Sequence, residues 1–199
     1  MSNTHTLPMT LADKLTASRL ILAPVFFAVF RWIMPGDGAI AIAALWILFA
    51  AIEFSDLLDG MAARRDGTVS PFGKIFDPFA DVFARVTYFV CFASAGIMPY
   101  WALLIILYRE FAMLFLRMLL TQRGVAMGAR PGGKLKAVFY AIAGGSSLAL
   151  VSLKNLGLLP DLLPALLVAV RVVYFVAVAL SAASFVDYFI QFRKLGTKA

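Results

Sequence analysis

Four aspartates lie close together in this 199-residue chain: Asp56 with Asp59, and Asp77 with Asp81. Spacings of three and four put each pair on one face of a helix. If the two helices are antiparallel neighbours, all four carboxylates converge. Four anions crowded at low dielectric repel one another unless protons or cations offset them. Two divalent ions would balance the formal charge, and all-oxygen ligation suits Mg²⁺ or Mn²⁺, which bridge carboxylates to substrate phosphates. The residues between the pairs suit phosphate handling. Gly60 lets a ligand approach the backbone, Ala63 keeps the next turn narrow, Arg64 supplies a planar donor, and Gly73 removes a side chain where the next helix begins. The bland alternative has these aspartates capping helices or pairing with Arg64, Arg65, Lys74 and Arg85, which accounts for one aspartate more readily than for four at this spacing.

A second cluster is basic. Arg109 and Arg117, eight apart, fall near one helix face, and Lys134 and Lys136 open a later apolar stretch on the same side. Such a wall favours an acceptor that already carries a phosphate. As plain membrane anchors, Arg117, Lys134 and Lys136 would instead face lipid headgroups. Arg109 lies about 12 Å deeper than Arg117 at 1.5 Å per residue, with Glu110 and Glu53 as its possible neutralising partners. His5 is the single histidine and Cys91 the single cysteine, so zinc sites and Cys-His catalysis are excluded.

The elements that must position these groups are apolar. The chain is 62% hydrophobic and only 15% charged, with a mean hydropathy of +0.90, which excludes an ordinary soluble domain. Six stretches can each span a bilayer, at 16–34, 38–55, 76–98, 100–120, 137–153 and 162–192. We expect an all-α integral membrane protein, one domain over 1–199, with a leader over 1–13 and a short interfacial helix over 7–15 ahead of the first span. No removable signal peptide is read there. Six spans put both termini on one side. Most basic residues outside the spans, from Lys14 through Arg64 and Lys134 to Lys198, share that side, with Arg31 and Lys154 opposite, so it faces the cytoplasm. The net charge of +7 accordingly suits a membrane surface rather than nucleic acid. Segments 35–38 and 155–160 read as outer turns and Gly132-Gly133 as a loop. Ala141, Gly144, Gly145 and Ser146, and Ser181, Ala182, Ala183 and Ser184, read as close helix packing.

The motif residues together carry a resemblance. Asp56-x2-Asp59-Gly60-x2-Ala63-Arg64-x8-Gly73-x3-Asp77-x3-Asp81 is similar, position by position, to the signature of the CDP-alcohol phosphotransferase family (class I CDP-alcohol phosphatidyltransferases). The resemblance implies a six-helix membrane enzyme, a homodimer, with a cytoplasm-facing polar cavity that transfers a phospho-alcohol group from a CDP-linked donor. It implies metal ligation by Asp56, Asp59, Asp77 and Asp81, with Asp81 also the base for the acceptor hydroxyl. Gly60, Ala63, Arg64 and Gly73, with Asp59 and Thr16, resemble the CDP-holding positions, and Ser70 stands where a hydroxyl donor to the nucleotide phosphates would. Thr16 and Arg19 resemble an Asn-x-x-Thr-x-x-Arg pattern, with Asp13 in place of its Asn. Arg109-Glu110 through Leu116-Arg117, then Gly133-Lys134-Leu135-Lys136, resembles the branch that makes phosphatidylglycerophosphate from CDP-diacylglycerol and glycerol 3-phosphate. It departs from that branch at Val82 and Ala137, where Lys and Thr are usual. The same chemistry on inositol phosphate would use the same basic wall, and a divalent-cation transporter is the reading from another class, expecting ligands near the bilayer midplane. Arg171 and Asp187 in the last span have no sequence-based explanation.

Overall fold

A computed structural model describes residues 11–34, 38–66, 73–122 and 131–196, with side chains described at 14–32, 34, 38–55, 76–122 and 132–193. The described chain is helical, with no strand. Six long helices follow in order: α1 (Leu11–Ala28), α2 (Gly38–Asp66), α3 (Gly73–Ser94), α4 (Tyr100–Gln122), α5 (Pro131–Asn155) and α6 (Leu163–Gly196). Among the described residues, four stretches are long and apolar enough to cross a membrane by length and composition: Lys14–Trp32, Gly38–Ser55, Gly132–Asn155 and Pro160–Arg193. They belong to α1, α2, α5 and α6. Charged residues set α3 and α4 apart, among them Asp77, Asp81 and Arg85, and Arg109, Glu110 and Arg117.

The interfacial helix expected over 7–15 falls partly outside the described residues. Its described part is simply the first turn of α1, which runs on without a break. Pro24 sits inside α1, and from Val29 to Ile33 the helix loosens into a π-helical turn in which Met34 N–H donates to Val29 O at 3.0 Å. Gly132-Gly133, expected as a loop, belongs to α5: Pro131 opens the helix, where its missing N–H costs nothing. Both glycines lie against α6, where an added Cβ would stand 3.6 Å from Ser184 Cβ at Gly132 and 3.7 Å from the Tyr188 hydroxyl at Gly133. The third helix stops at Ser94, four residues short of expectation. Gly96, at φ +74°, ends it in a Schellman turn, with Ile97 N–H on Phe92 O and Gly96 N–H on Ala93 O, both at 3.0 Å. Gly157, at φ +66°, closes α5 the same way, with Leu158 N–H on Leu153 O. The turn expected over 155–160 is therefore present, whereas residues 35–37 lie outside the description.

The third helix is central, packed on α1, α4 and α5, while α1 also lies against α2 and α5 against α6. Phe26, Phe92, Tyr88, Phe89, Tyr140 and Tyr174 form a fully buried aromatic spine through the core, mostly in edge-to-face contacts. Gly144 is the tightest small-residue contact: a Cβ there would meet Phe49 ring atoms at 2.8 and 3.0 Å. Close packing is thus the correct reading of that residue. Ser181 and Ser184 add hydrogen bonds to it, accepting from the Tyr140 hydroxyl at 2.7 Å and from Arg109 at 2.9 Å.

Candidate active site

The start of α1, the end of α2 and the start of α3 meet at one end of the bundle. Thr16, fully buried on α1, donates its hydroxyl to Asp77 Oδ1 at 2.6 Å, and the Tyr88 hydroxyl on α3 donates to Glu53 Oε1 on α2 at 3.0 Å. Arg85 Nη1 donates to Asp81 Oδ2 at 2.6 Å, one turn along α3. Arg19, also buried, brings Nη1 within 3.9 Å of Asp81 Oδ1. Asp56, Asp59, Gly60, Ala63 and Arg64 lie on the last turns of α2 and Gly73 begins α3, with their side chains outside the described residues. Ser70 lies outside the described residues altogether.

From the other half of the bundle, α4, α5 and α6 bring the basic wall to the same end. A cavity of about 240 Å³ is lined by Asp81 and Arg85 together with Arg109, Arg117, Lys134 and Lys136. All four residues expected to hold an acceptor phosphate therefore share one wall with the aspartate expected to be the base. Pro78 and Val82, Met113 and Leu114, Gly133 and Ala137, and Tyr188 complete the lining.

Within this wall the cations fall into two groups. Arg109 and Lys136 are buried and both bind Glu110: Arg109 Nη1 to Oε2 at 2.9 Å, Lys136 Nζ to Oε1 at 2.5 Å. Arg109 Nη2 also donates to Ser184 Oγ at 2.9 Å, tying α4 to α6. Arg109 Nε has no hydrogen-bond partner among the described residues. Lys136 Nζ stands 4.7 Å and the Arg85 guanidinium carbon 5.9 Å from the centre of the Tyr140 ring, close enough for cation–π attraction. Arg117 and Lys134, by contrast, are exposed at the rim. The cavity thus presents five cationic side chains against the carboxylates of Asp81 and Glu110, an excess suited to a phosphorylated ligand.

The sequence reading missed several of these parts. Arg85 was legible as an (i, i+4) partner of Asp81 but not as a cavity residue. Glu110 was read as a neutraliser of Arg109 alone, whereas it also takes Lys136, 26 positions away. Ser184 was read only as a small residue for close packing and nothing in the sequence marked Tyr188, because the face α6 turns to α4 and α5 depends on packing. Arg171 receives an explanation: its Nη2 donates to Gly96 O at 2.9 Å, satisfying a main-chain oxygen at the end of α3.

Among the described residues no group of three or more possible metal ligands occurs, but Asp77 and Asp81 offer oxygens of the kind a hard divalent cation takes. Asp77 and Asp81 are one turn apart on α3, their carboxylate oxygens held by Thr16 and by Arg85, and α2 ends at the same end of the bundle with two more aspartates in its last turns. Carboxylate oxygens are the ligands such ions take.

Comparison with known proteins agrees with the geometry. The family model described as CDP-alcohol phosphatidyltransferase matches residues 9–183. A protein named CDP-diacylglycerol--glycerol-3-phosphate 3-phosphatidyltransferase from Treponema pallidum (strain Nichols) is 42% identical over 189 residues, covering 90% of this chain and 88% of that protein. One of the same name from Bacillus subtilis (strain 168) is 33% identical over 141 residues, 67% of this chain and 73% of that protein. A match over most of the length, with the motif's Asp81 and a basic wall lining one cavity, leaves a single conclusion: this membrane protein belongs to the CDP-alcohol phosphatidyltransferase family.

Proposed function

We propose that the chain transfers a phosphatidyl group from CDP-diacylglycerol to the hydroxyl of glycerol 3-phosphate, giving phosphatidylglycerophosphate and CMP. The observation that carries this reading is the one cavity in which Asp81 shares a wall with Arg109, Arg117, Lys134 and Lys136. The names of the similar proteins support the same acceptor.

In this reading the acceptor's phosphate rests on Arg109 and Lys136, oriented by Glu110, with Arg117 and Lys134 closing over it from the rim. Its free hydroxyl then lies toward Asp81. Asp81 takes the proton as the hydroxyl oxygen bonds to the phosphorus nearer the diacylglycerol, and the phosphoanhydride bond to CMP breaks. Arg85 and Arg19 hold the Asp81 carboxylate in place, and Thr16 does the same for Asp77. Asp59, Gly60, Ala63, Arg64, Ser70 and Gly73 hold the CDP portion. Asp56, Asp59, Asp77 and Asp81 would hold two divalent ions, Mg²⁺ or Mn²⁺, which when bound neutralise the pyrophosphate and stabilise the leaving phosphate.

All six helices cross the bilayer in this reading. The charges that set α3 and α4 apart are turned inward, with Arg85, Arg109 and Glu110 buried, while Phe79, Phe83 and Val90 of α3 and Leu104, Ile105, Tyr108, Phe111 and Phe115 of α4 face outward. Both termini and the cavity face the cytoplasm, on the side rich in Lys and Arg, in the cell's cytoplasmic membrane, and the chain works as a homodimer.

The test is CMP release by purified protein in detergent with CDP-diacylglycerol and Mg²⁺ or Mn²⁺, offering glycerol 3-phosphate, inositol phosphate, inositol and serine in parallel. Release with glycerol 3-phosphate alone, abolished by EDTA, is expected. Release with inositol phosphate instead would keep the mechanism and overturn the acceptor; persistence in EDTA would remove the metals.

A further inference from the structure

The end of the bundle away from the cavity carries a cation that the catalytic reading does not use. Arg171 is exposed on α6, in a stripe with Val168, Val172 and Phe175 that lines an open groove of about 550 Å³ together with Pro99 and Trp101. Apart from the bond to Gly96 O, Arg171 makes no hydrogen bond or ion pair among the described residues. Its remaining guanidinium donors therefore face a groove whose other walls are apolar. Trp101 and Phe175 stiffen that wall, packed edge to face with centroids 6.4 Å apart.

Depth supplies the second argument. The third helix has 22 residues, about 33 Å at 1.5 Å per residue, close to the roughly 30 Å of a bilayer's hydrocarbon core. Its first turns carry Asp77 at the cavity end, and Gly96 closes the other. Arg171, bonded to Gly96, consequently stands at the far boundary, the level of lipid phosphates. A guanidinium is a fork matched to phosphate oxygens, and an intramembrane cation with no carboxylate partner among the described residues calls for an anion from outside the protein. A zwitterionic headgroup brings its own ammonium to compete for its phosphate, whereas an anionic one does not.

We propose that this groove binds an anionic phospholipid in the leaflet opposite the cavity, with the headgroup phosphate on Arg171 and an acyl chain along Val168, Val172 and Phe175. The proposal rests on α3, α4 and α6 crossing the bilayer.

Trp101 makes the site readable. Full-length protein in phosphatidylcholine nanodiscs receives a minor fraction of phosphatidylglycerol brominated on its acyl chains, and the difference between wild type and Trp101→Phe isolates quenching of that one residue. Quenching should exceed random mixing, corresponding to about fivefold local enrichment of the anionic lipid. Arg171→Gln should return it to random mixing, Arg171→Lys should retain most of the excess, and both variants should release CMP at the wild-type rate, which verifies their folding. Inorganic phosphate at constant ionic strength should leave the quenching unchanged. Random mixing in the wild type, excess that survives in Arg171→Gln, equal loss in the Lys variant, or displacement by inorganic phosphate would each overturn the proposal. Failure of the spanning reading would look different: Trp101 would escape quenching by brominated lipid of either class, brominated phosphatidylcholine included.

Discussion

At the cavity end of the bundle most of the long buried polar side chains carry charge. Arg19, Arg85, Arg109, Glu110 and Lys136 are all buried there, held in two sets of ion pairs: Arg19 and Arg85 on Asp81 between α1 and α3, and Arg109 and Lys136 on Glu110 between α4 and α5. Toward the other end the buried and half-buried polar groups are neutral. Ser147 and the Tyr174 hydroxyl share a hydrogen bond at 2.8 Å, and Trp46 Nε1 donates to Ser152 Oγ at 3.1 Å, among rings such as Phe26, Phe30 and Phe92. Neutral pairs lock helices together at small desolvation cost, whereas buried ions are costly and contribute little net stability against an apolar alternative. The charged end is therefore shaped by chemistry and the neutral end by packing, so substitutions at the two ends should separate in what they change.

The largest effect is expected for Asp81→Asn, which keeps the shape and removes the proton acceptor. CMP release should fall about 10²- to 10⁴-fold while CDP-diacylglycerol binding persists; a folded variant with near-normal turnover would end the assignment of Asp81 as base. Glu110→Gln comes next, because it leaves Arg109 and Lys136 buried without their shared carboxylate. Loss of one partner from a buried ionic cluster costs about 3–5 kcal/mol, so the unfolding midpoint should drop by roughly 10 °C. The KM for glycerol 3-phosphate should rise about tenfold with the donor KM little changed. Equal effects on both KM values would mean that Glu110 serves packing alone and would blur the contrast between the ends. At the middle of the bundle, Gly144→Ala forces a methyl against Phe49 and should cost about 1–3 kcal/mol, seen as a lower midpoint in thermal unfolding with steady-state kinetics unchanged. The smallest effect belongs to Tyr174→Phe, which removes one neutral hydrogen bond, about 1 kcal/mol, and should leave both KM values where they are. A change in turnover there would show that the far end is coupled to the chemistry after all.

Much of the cavity was legible in advance because helical spacing fixes faces without tertiary information. Asp77 and Asp81, or Arg109 and Arg117, must lie on one side of their helices wherever those helices go. That both faces would open on the same cavity needed only helices alternating in direction, which the apolar stretches supply. Pairings across helices were less accessible. That Glu110 would take Lys136 as well as Arg109, and that Ser184 would take Arg109, depends on rotations of α5 and α6 that their nearly uniform hydrophobicity does not encode. Backbone punctuation failed locally for the same reason: Gly132-Gly133 looks like a loop until Ser184 and Tyr188 explain the missing side chains, and Gly96 ends α3 in the middle of an apolar run.

The π-helical turn at Val29–Ile33 has a bearing on which insertions and deletions this fold could absorb. Such a turn is an α-helix holding one residue too many. Deleting one residue there would let the segment relax into ordinary α-helix and leave everything before it in register. The same deletion between Thr16 and Arg19 would swing one of them by about 100° about the helix axis, taking either the hydroxyl from Asp77 or the guanidinium from Asp81. Tolerance to length change along α1 should therefore be graded, greatest at the loosened turn and least one helix-length away, where two side chains on successive turns steady the aspartates of the neighbouring helix.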